Sequence, residues 1–118
     1  MRVIVAGAVA WADRSSIHRE LAGLGPGAEV IHGDSPGADK LGGEVAAELG
    51  HRVRAMAKNP QDRARYGRDA WKGLNERMVQ ERPERVLIFH PDIEGSRGSK
   101  HLRDLCWDVG IDVQIFTC

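Results

Sequence analysis

The feature that most constrains this chain is the stretch His32-Gly33-Asp34-Ser35-Pro36-Gly37-Ala38-Asp39. It lies between an apolar run, Ala28–Ile31, and a segment that places Ala38, Leu41, Val45 and Leu49 on one helical face. A strand, a Gly-rich loop and a helix in that order give such a loop its meaning. The two glycines let the backbone turn tightly and approach a ligand without a Cβ in the way. Ser35 reads as an N-cap and Pro36 as a residue of the first helical turn. The amides that follow, with the helix dipole, offer a site for an anion. Asp34 and Asp39 would repel a phosphate, and suit ribose hydroxyls or the edge of a base instead. A capped helix behind a surface turn accounts for the same residues, so the loop alone does not decide.

The rest of the chain repeats that alternation. Arg2–Ala6 is a β-branched run ending at Gly7, followed by a loop, Gly7–Trp11. Asp13 or Ser15 can cap a helix with Ile17, Leu21 and Leu24 on its face, closed by Gly23, Gly25, Pro26 and Gly27. The second strand is Glu29–His32 and the third is Arg52–Met56, where arginines alternate with small apolar residues as on a sheet edge. Lys58–Tyr66 reads as a polar loop containing Asn59-Pro60. The third helix is predicted from about Arg68 to Glu81, with Trp71, Leu74 and Met78 on one face and Pro83 as its stop. Val86–Phe89 is the most apolar run and reads as a central strand. A loop, His90–Ser99, leads to a fourth helix with Leu102, Leu105, Cys106 and Val109 on one face, and Asp112–Phe116 is the last strand.

Strands alternating with helices predict a parallel α/β sheet with right-handed crossovers. The apolar first, second and fourth strands belong in the centre and the alternating third and fifth at the edges, which gives the order 3-2-1-4-5. Helices then cover both faces in three layers. The order reverses between the first and fourth strands, so a crevice is expected at their carboxyl ends. Three loops converge there: Gly7–Trp11, His32–Asp39 and His90–Ser99. The last contains Gly95-Ser96-Arg97-Gly98-Ser99 ahead of a helix, a second candidate phosphate cradle to which Arg97 or Lys100 adds charge.

Composition bounds the function. The chain has 118 residues, enough for one domain with a real core, and no repeat or internal boundary divides it. Its 17 basic residues balance 17 acidic ones, so no basic field points to nucleic acid or a membrane. A local cluster, Arg63, Arg65, Arg68, Lys72 and Arg77, could track a single-stranded nucleic-acid backbone, but it comes with few aromatic residues. Cys106 and Cys118 form no disulfide or metal framework, and Cys106 reads as a reduced core residue. His90 and His101 flank the last loop without a carboxylate at metal-ligand spacing, so neither a metal nor a cofactor is expected. With no leader sequence and no long apolar run, the expected location is the cytoplasm.

At the loops the chain resembles the small YspA/cpYpsA-related proteins of the SLOG superfamily, relatives of the Lonely Guy phosphoribohydrolases and of the DNA-processing protein A domain. The resemblance covers essentially the whole chain. It rests on Gly7…Trp11, on His32–Asp39, on Tyr66-Gly67…Asn75-Glu76-Arg77-Met78, and on Ser96-Arg97-Gly98-Ser99, which looks like a Ser-Lys/Arg-Gly-Thr signature. It implies a Rossmann-like domain that binds a nucleotide or nucleotide-derived ligand, as a sensor or sequestering module. It also implies a homodimer, for which Trp71, Met78, Val79, Leu102 and Trp107 are candidate apolar surface. The alternatives it implies are hydrolysis of the N-glycosidic bond of a nucleoside 5′-monophosphate and, by analogy with the DNA-processing relative, single-stranded nucleic-acid binding.

Two departures bear on that implication. The family's first loop reads Gly-Ser-Arg, whereas this chain has Gly7-Ala8-Val9, without the hydroxyl and the charge. The phosphoribohydrolase motif Pro-Gly-Gly-x-Gly-Thr-x-x-Glu places its glutamate where this chain has Leu102. Asp34, Asp39 and Glu94 remain as candidate catalytic carboxylates. The expected ligand-binding set is Gly7, Ala8, Trp11, His32, Gly33, Asp34, Ser35, Gly37, Asp39, Asn75, Arg77, Ser96, Arg97, Gly98 and Ser99. Within it Trp11 either stacks on a base or covers the sheet end, and His32 either contacts the ligand or serves the fold. Arg77 either faces the crevice or is solvated. Trp71 and Trp107 read as packing residues.

Overall fold

The computed structural model describes Met1–Cys118, in which five strands alternate with five α-helices. β1 (Arg2–Gly7) leads to α1 (Arg14–Ala22), β2 (Glu29–His32) to α2 (Ala38–Glu48), and β3 (Arg52–Ala55) to α3 (Pro60–Tyr66). A short 3-10 turn, Gly67–Asp69, joins α3 to α4 (Trp71–Gln80). β4 (Arg85–Phe89), a second 3-10 turn at Ile93–Gly95, α5 (Arg97–Asp108) and β5 (Asp112–Phe116) complete the chain. All neighbouring strands are parallel and their order is β3-β2-β1-β4-β5. This is the order expected from the apolar pattern.

Alternate residues of the central strands serve opposite faces, as the pleat requires. Val3, Val5, Val30, Leu87 and Phe89 pack under α1 and α2 with Ile17, Leu21 and Val45. Ile4, Ile31, Val86 and Ile88 pack on the other side against Leu74 and Met78 of α4 and Leu102 and Cys106 of α5. The result is a Rossmann-like three-layer sandwich. β3 is an edge whose four residues are all exposed, with Arg52 and Arg54 on it. No helix is long and apolar enough to cross a membrane.

Three local readings of the sequence need correction. Pro60–Tyr66 is a helix, not a loop. Asn59 is its N-cap, accepting the Asp62 amide at 2.8 Å, while Asp62 accepts the Asn59 amide at 3.0 Å. Pro60 then sits at the start of the helix, where its missing N–H costs nothing. Ser35 and Pro36 are not the cap and first turn of α2, whose N-cap is Gly37 without a side-chain hydrogen bond. Val109 does not share the buried face of α5, being its C-cap and 63% exposed.

Gly7 opens the fork between β1 and β4. Its φ is +152°, and a Cβ there would lie 2.0 Å from the Phe89 carbonyl oxygen. Beyond it, the Ala8 amide donates to that same oxygen at 2.9 Å. The first loop is thus bound to the end of β4, and the crevice begins above that bond.

Candidate functional site

The crevice at the carboxyl ends of β1 and β4 has a volume of about 610 Å³. Gly7, Ala8 and Val9 form its floor, with Asp34, Ser35 and Asp39 along one side. Ser96, Arg97, Gly98 and Ser99 form the opposite side, and α4 closes the back with Trp71, Leu74 and Asn75. Ten of the expected ligand residues therefore meet in one place: Gly7, Ala8, Asp34, Ser35, Asp39, Asn75, Ser96, Arg97, Gly98 and Ser99.

The two Gly-rich loops are not equivalent. The N-terminus of α2 is already occupied: the Ala38 amide donates to the Ala8 carbonyl at 3.1 Å. A Cβ on Gly37 would come within 2.2 Å of the Val9 carbonyl oxygen, and its φ of +76° is itself a glycine conformation. Gly37 thus holds the first loop rather than lining the crevice. The first amide of α2 thus already has its acceptor in the protein.

The N-terminus of α5 is open. Ser96 is its N-cap and accepts the Ser99 amide at 3.1 Å. The amides of Arg97 and Gly98 come first in the helix, where no intrahelical acceptor exists. Ser99 is 7% exposed and lines the crevice, and its hydroxyl has no partner within the protein. Asn75 donates to the Gly98 carbonyl at 3.1 Å, tying α4 to this turn. Arg97 crosses to Asp69 at 3.1 Å, with its guanidinium 5.8 Å from the Trp71 ring centroid.

The facing wall is acidic. Asp34 accepts from the Lys58 ammonium at 2.7 Å and from the Lys58 amide at 3.0 Å. Partial burial raises the Asp34 carboxyl, but the Lys58 bonds outweigh it and hold it below the ordinary carboxylate value. Asp39 is 8% exposed and goes the other way, pushed up to about 7 by burial. The amides of Ser35 and Gly7 oppose that rise, while the neighbouring Asp34 charge adds to it.

Several expected site residues serve the fold instead. Trp11 is buried 5.7 Å from Phe89, centroid to centroid, and its indole N–H donates to the Asp13 carbonyl at 3.1 Å. It covers the sheet end and does not reach the crevice. The His32 ring lies under α2, where a Cβ on Gly43 would touch it at 2.5 Å, and its Nδ1 pairs with the Gly33 carbonyl at 2.8 Å. Gly33 is buried against the Asp39 carboxyl, where a Cβ would lie 2.8 Å from Oδ2. Arg77 donates to Asp62 at 2.6 Å and to the Ala57 carbonyl at 2.6 Å, which anchors α4 to α3. That guanidinium holds the Asp62 carboxyl below its usual value. Glu94 lies outside the crevice, paired with Arg103 at 2.6 Å.

The sequence reading missed Lys58, His90 and Trp71. Lys58 arrives from the segment after β3, and no local pattern links it to Asp34. Trp71 packs as expected, with His101 5.4 Å away edge-on, but its half-buried ring also forms part of the back wall. Leu102 lines the crevice, so its wall there is apolar. Of the expected self-association residues, Met78 and Leu102 are buried at 2% and 1% exposure and unavailable, while Trp107 is 57% exposed. In the basic cluster, Arg77 is spent on Asp62 and Arg65 lies 3.7 Å from Glu76. No protein-family model, curated protein or solved structure matches the chain.

Proposed function

We propose that this protein binds a nucleotide-derived ligand of the ADP-ribose or nucleoside monophosphate class, as a sensor or sequestering module of SLOG type. The phosphate sits on the first turn of α5, and the ribose or base edge meets Asp34, Asp39 and Asn75. One observation carries this reading: the hydroxyl of Ser99, a residue only 7% exposed, makes no hydrogen bond within the protein and lines the crevice beside the first turn of α5. Amides, a hydroxyl and a helix dipole converging on one point suit an anion. The carboxyls opposite suit hydroxyl or amino donors. Trp71 offers an apolar ring between the two ends.

Hydrolysis of an N-glycosidic bond is less well supported. Leu102 stands where the resemblance calls for a glutamate, Glu94 is directed away, and Asp34 is committed to Lys58. Nucleic-acid binding has weaker support still, since part of the basic cluster is internally paired. The reading includes a homodimer through the outer faces of α4 and α5, where Val79 is half-buried and Trp107 exposed. Light scattering that gives a monomer mass at high micromolar protein rejects that part.

The test is a thermal-shift series with ADP-ribose, AMP and adenosine. Phosphorylated compounds at millimolar concentration should raise the melting temperature, and adenosine should do so less. Ser99→Ala should weaken the phosphorylated ligands by about tenfold, the scale of one hydrogen bond to a charged group. A flat response to every compound overturns the reading.

A further inference from the structure

The proposed ligand shares its crevice with a carboxyl group that has no cation of its own. Asp39 stands in the first turn of α2, 8% exposed and lining the crevice. The groups facing it come from each element packed around it. The loop after β2 supplies the Ser35 amide and the Asp34 carboxyl, the end of β1 supplies the Gly7 amide, and the segment after β3 supplies Lys58. α4 contributes an apolar neighbour, Leu74, beside Gly33. Lys58 is not the counter-ion of Asp39, because its ammonium and its amide are both bonded to Asp34. Across the crevice, Arg97 is bonded to Asp69, and His90 Nδ1 accepts the Asp92 amide at 2.9 Å. Asp39 thus stands beside a carboxyl that already holds the one nearby ammonium.

We infer that binding in this crevice is linked to proton uptake: Asp39 is protonated when an anionic ligand is held, and its ionisation expels that ligand. The inference rests on the binding reading above. The neutral acid adds an O–H donor to the crevice wall. The carboxylate instead adds a second negative charge beside Asp34, on a group almost wholly shut off from water. Burial places the exchange at about pH 7, so the crevice answers to changes around neutrality.

ADP-ribose is the suitable probe, because the two negative charges of its pyrophosphate bridge stay fixed through the neutral range. Its dissociation constant is measured by calorimetry from about pH 5.5 to about pH 8.5, in buffers of high and low protonation heat. The constant should level off at low pH and weaken by up to about tenfold per pH unit above the Asp39 titration, with net proton uptake. Asp39→Asn should bind with an affinity that no longer changes with pH. In the unsubstituted protein, the carboxyl carbon signal of Asp39 should titrate at higher pH with ADP-ribose than without it. That measurement keeps the test decisive if the variant does not fold. A constant affinity with no proton uptake overturns the linkage and leaves the binding reading standing. An Asp39→Asn variant with the parent's pH dependence, or an Asp39 signal unmoved by ligand, also overturns it. No binding at any pH removes both readings.

Discussion

The carbonyl oxygen of Ala8 accepts the backbone amide of Ala38 at 3.1 Å. Through that bond the first loop takes up the first amide of α2, whereas the amides of Arg97 and Gly98 at α5 have no acceptor within the helix. Under the proposed reading, an anionic ligand is directed to the α5 end, away from the acidic wall opposite.

Gly37 makes this contact possible and should tolerate no side chain. Gly37→Ala places a methyl group against the Ala8 and Val9 carbonyls, at 2.4 and 2.2 Å, in a backbone conformation that L residues avoid. The expected cost is at least about 2 kcal/mol of stability. Chemical denaturation measures it, and a ligand-binding loss should accompany it because the crevice floor shifts.

Val9 is 62% exposed and lines the crevice, so it accepts a longer side chain without repacking. The double change Ala8→Ser, Val9→Arg should tighten ADP-ribose or AMP by about tenfold or more, since hydrogen bonds to charged groups contribute roughly 1.5–3 kcal/mol. Adenosine should gain little. Calorimetry on the three compounds checks the difference, and equal affinities in parent and variant place the phosphate away from the first loop.

Asp39 also leaves a mark on stability without any ligand. Its folded value, about 7, lies above the ordinary 3.8, so the folded state holds the proton more tightly. Stability from this group is fully present below about pH 4 and is lost as pH rises through about 7. The loss amounts to at most on the order of 4 kcal/mol. Asp39→Asn removes the ionisation, so its stability relative to the parent should climb from acid to mildly basic pH. Urea unfolding at both ends of that range reads the change.

Arg77 tests the division between fold and site. Arg77→Met leaves the Asp62 carboxylate, only 5% exposed, without its guanidinium. The expected loss is roughly 1.5–3 kcal/mol of stability at neutral pH. Because the Arg77 bond lowers the Asp62 value, that stability is present above the ordinary carboxylate range and disappears as pH falls through the folded value. The affinity for ADP-ribose should be unchanged, as measured by calorimetry.

The strand order was legible because burial leaves a direct record in composition. Val3 and Ile4 in β1, like Leu87 and Val86 in β4, put apolar side chains on opposite faces of the sheet, while Arg52 and Arg54 alternate with smaller residues at an edge. The convergence of the three loops followed from that order. α3 was not legible by the same logic, since it buries only Asp62 and carries no apolar stripe. Its signature was the Asn59-Pro60-Gln61-Asp62 capping box, which reads equally as a turn. Trp11, His32 and Arg77 carry side chains suited to a ligand, and only their placement assigns them to packing. Lys58 was invisible because its partner, Asp34, is 24 residues away and joined to it only by the pairing of β2 with β3.

The exposed edge strand β3 bears on how the protein behaves in bulk. Arg52 and Arg54 stand along it, and Arg54 is answered by Glu81, the C-cap of α4. Two molecules approaching rim to rim would bring like guanidinium groups together before any backbone bond formed. That barrier is electrostatic and fades with ionic strength, because added salt shortens the reach of each charge to a few ångströms. Concentrated stocks should therefore stay clear in dilute buffer and turn cloudy first at high salt, a colloidal property set by two arginines at the margin of the sheet.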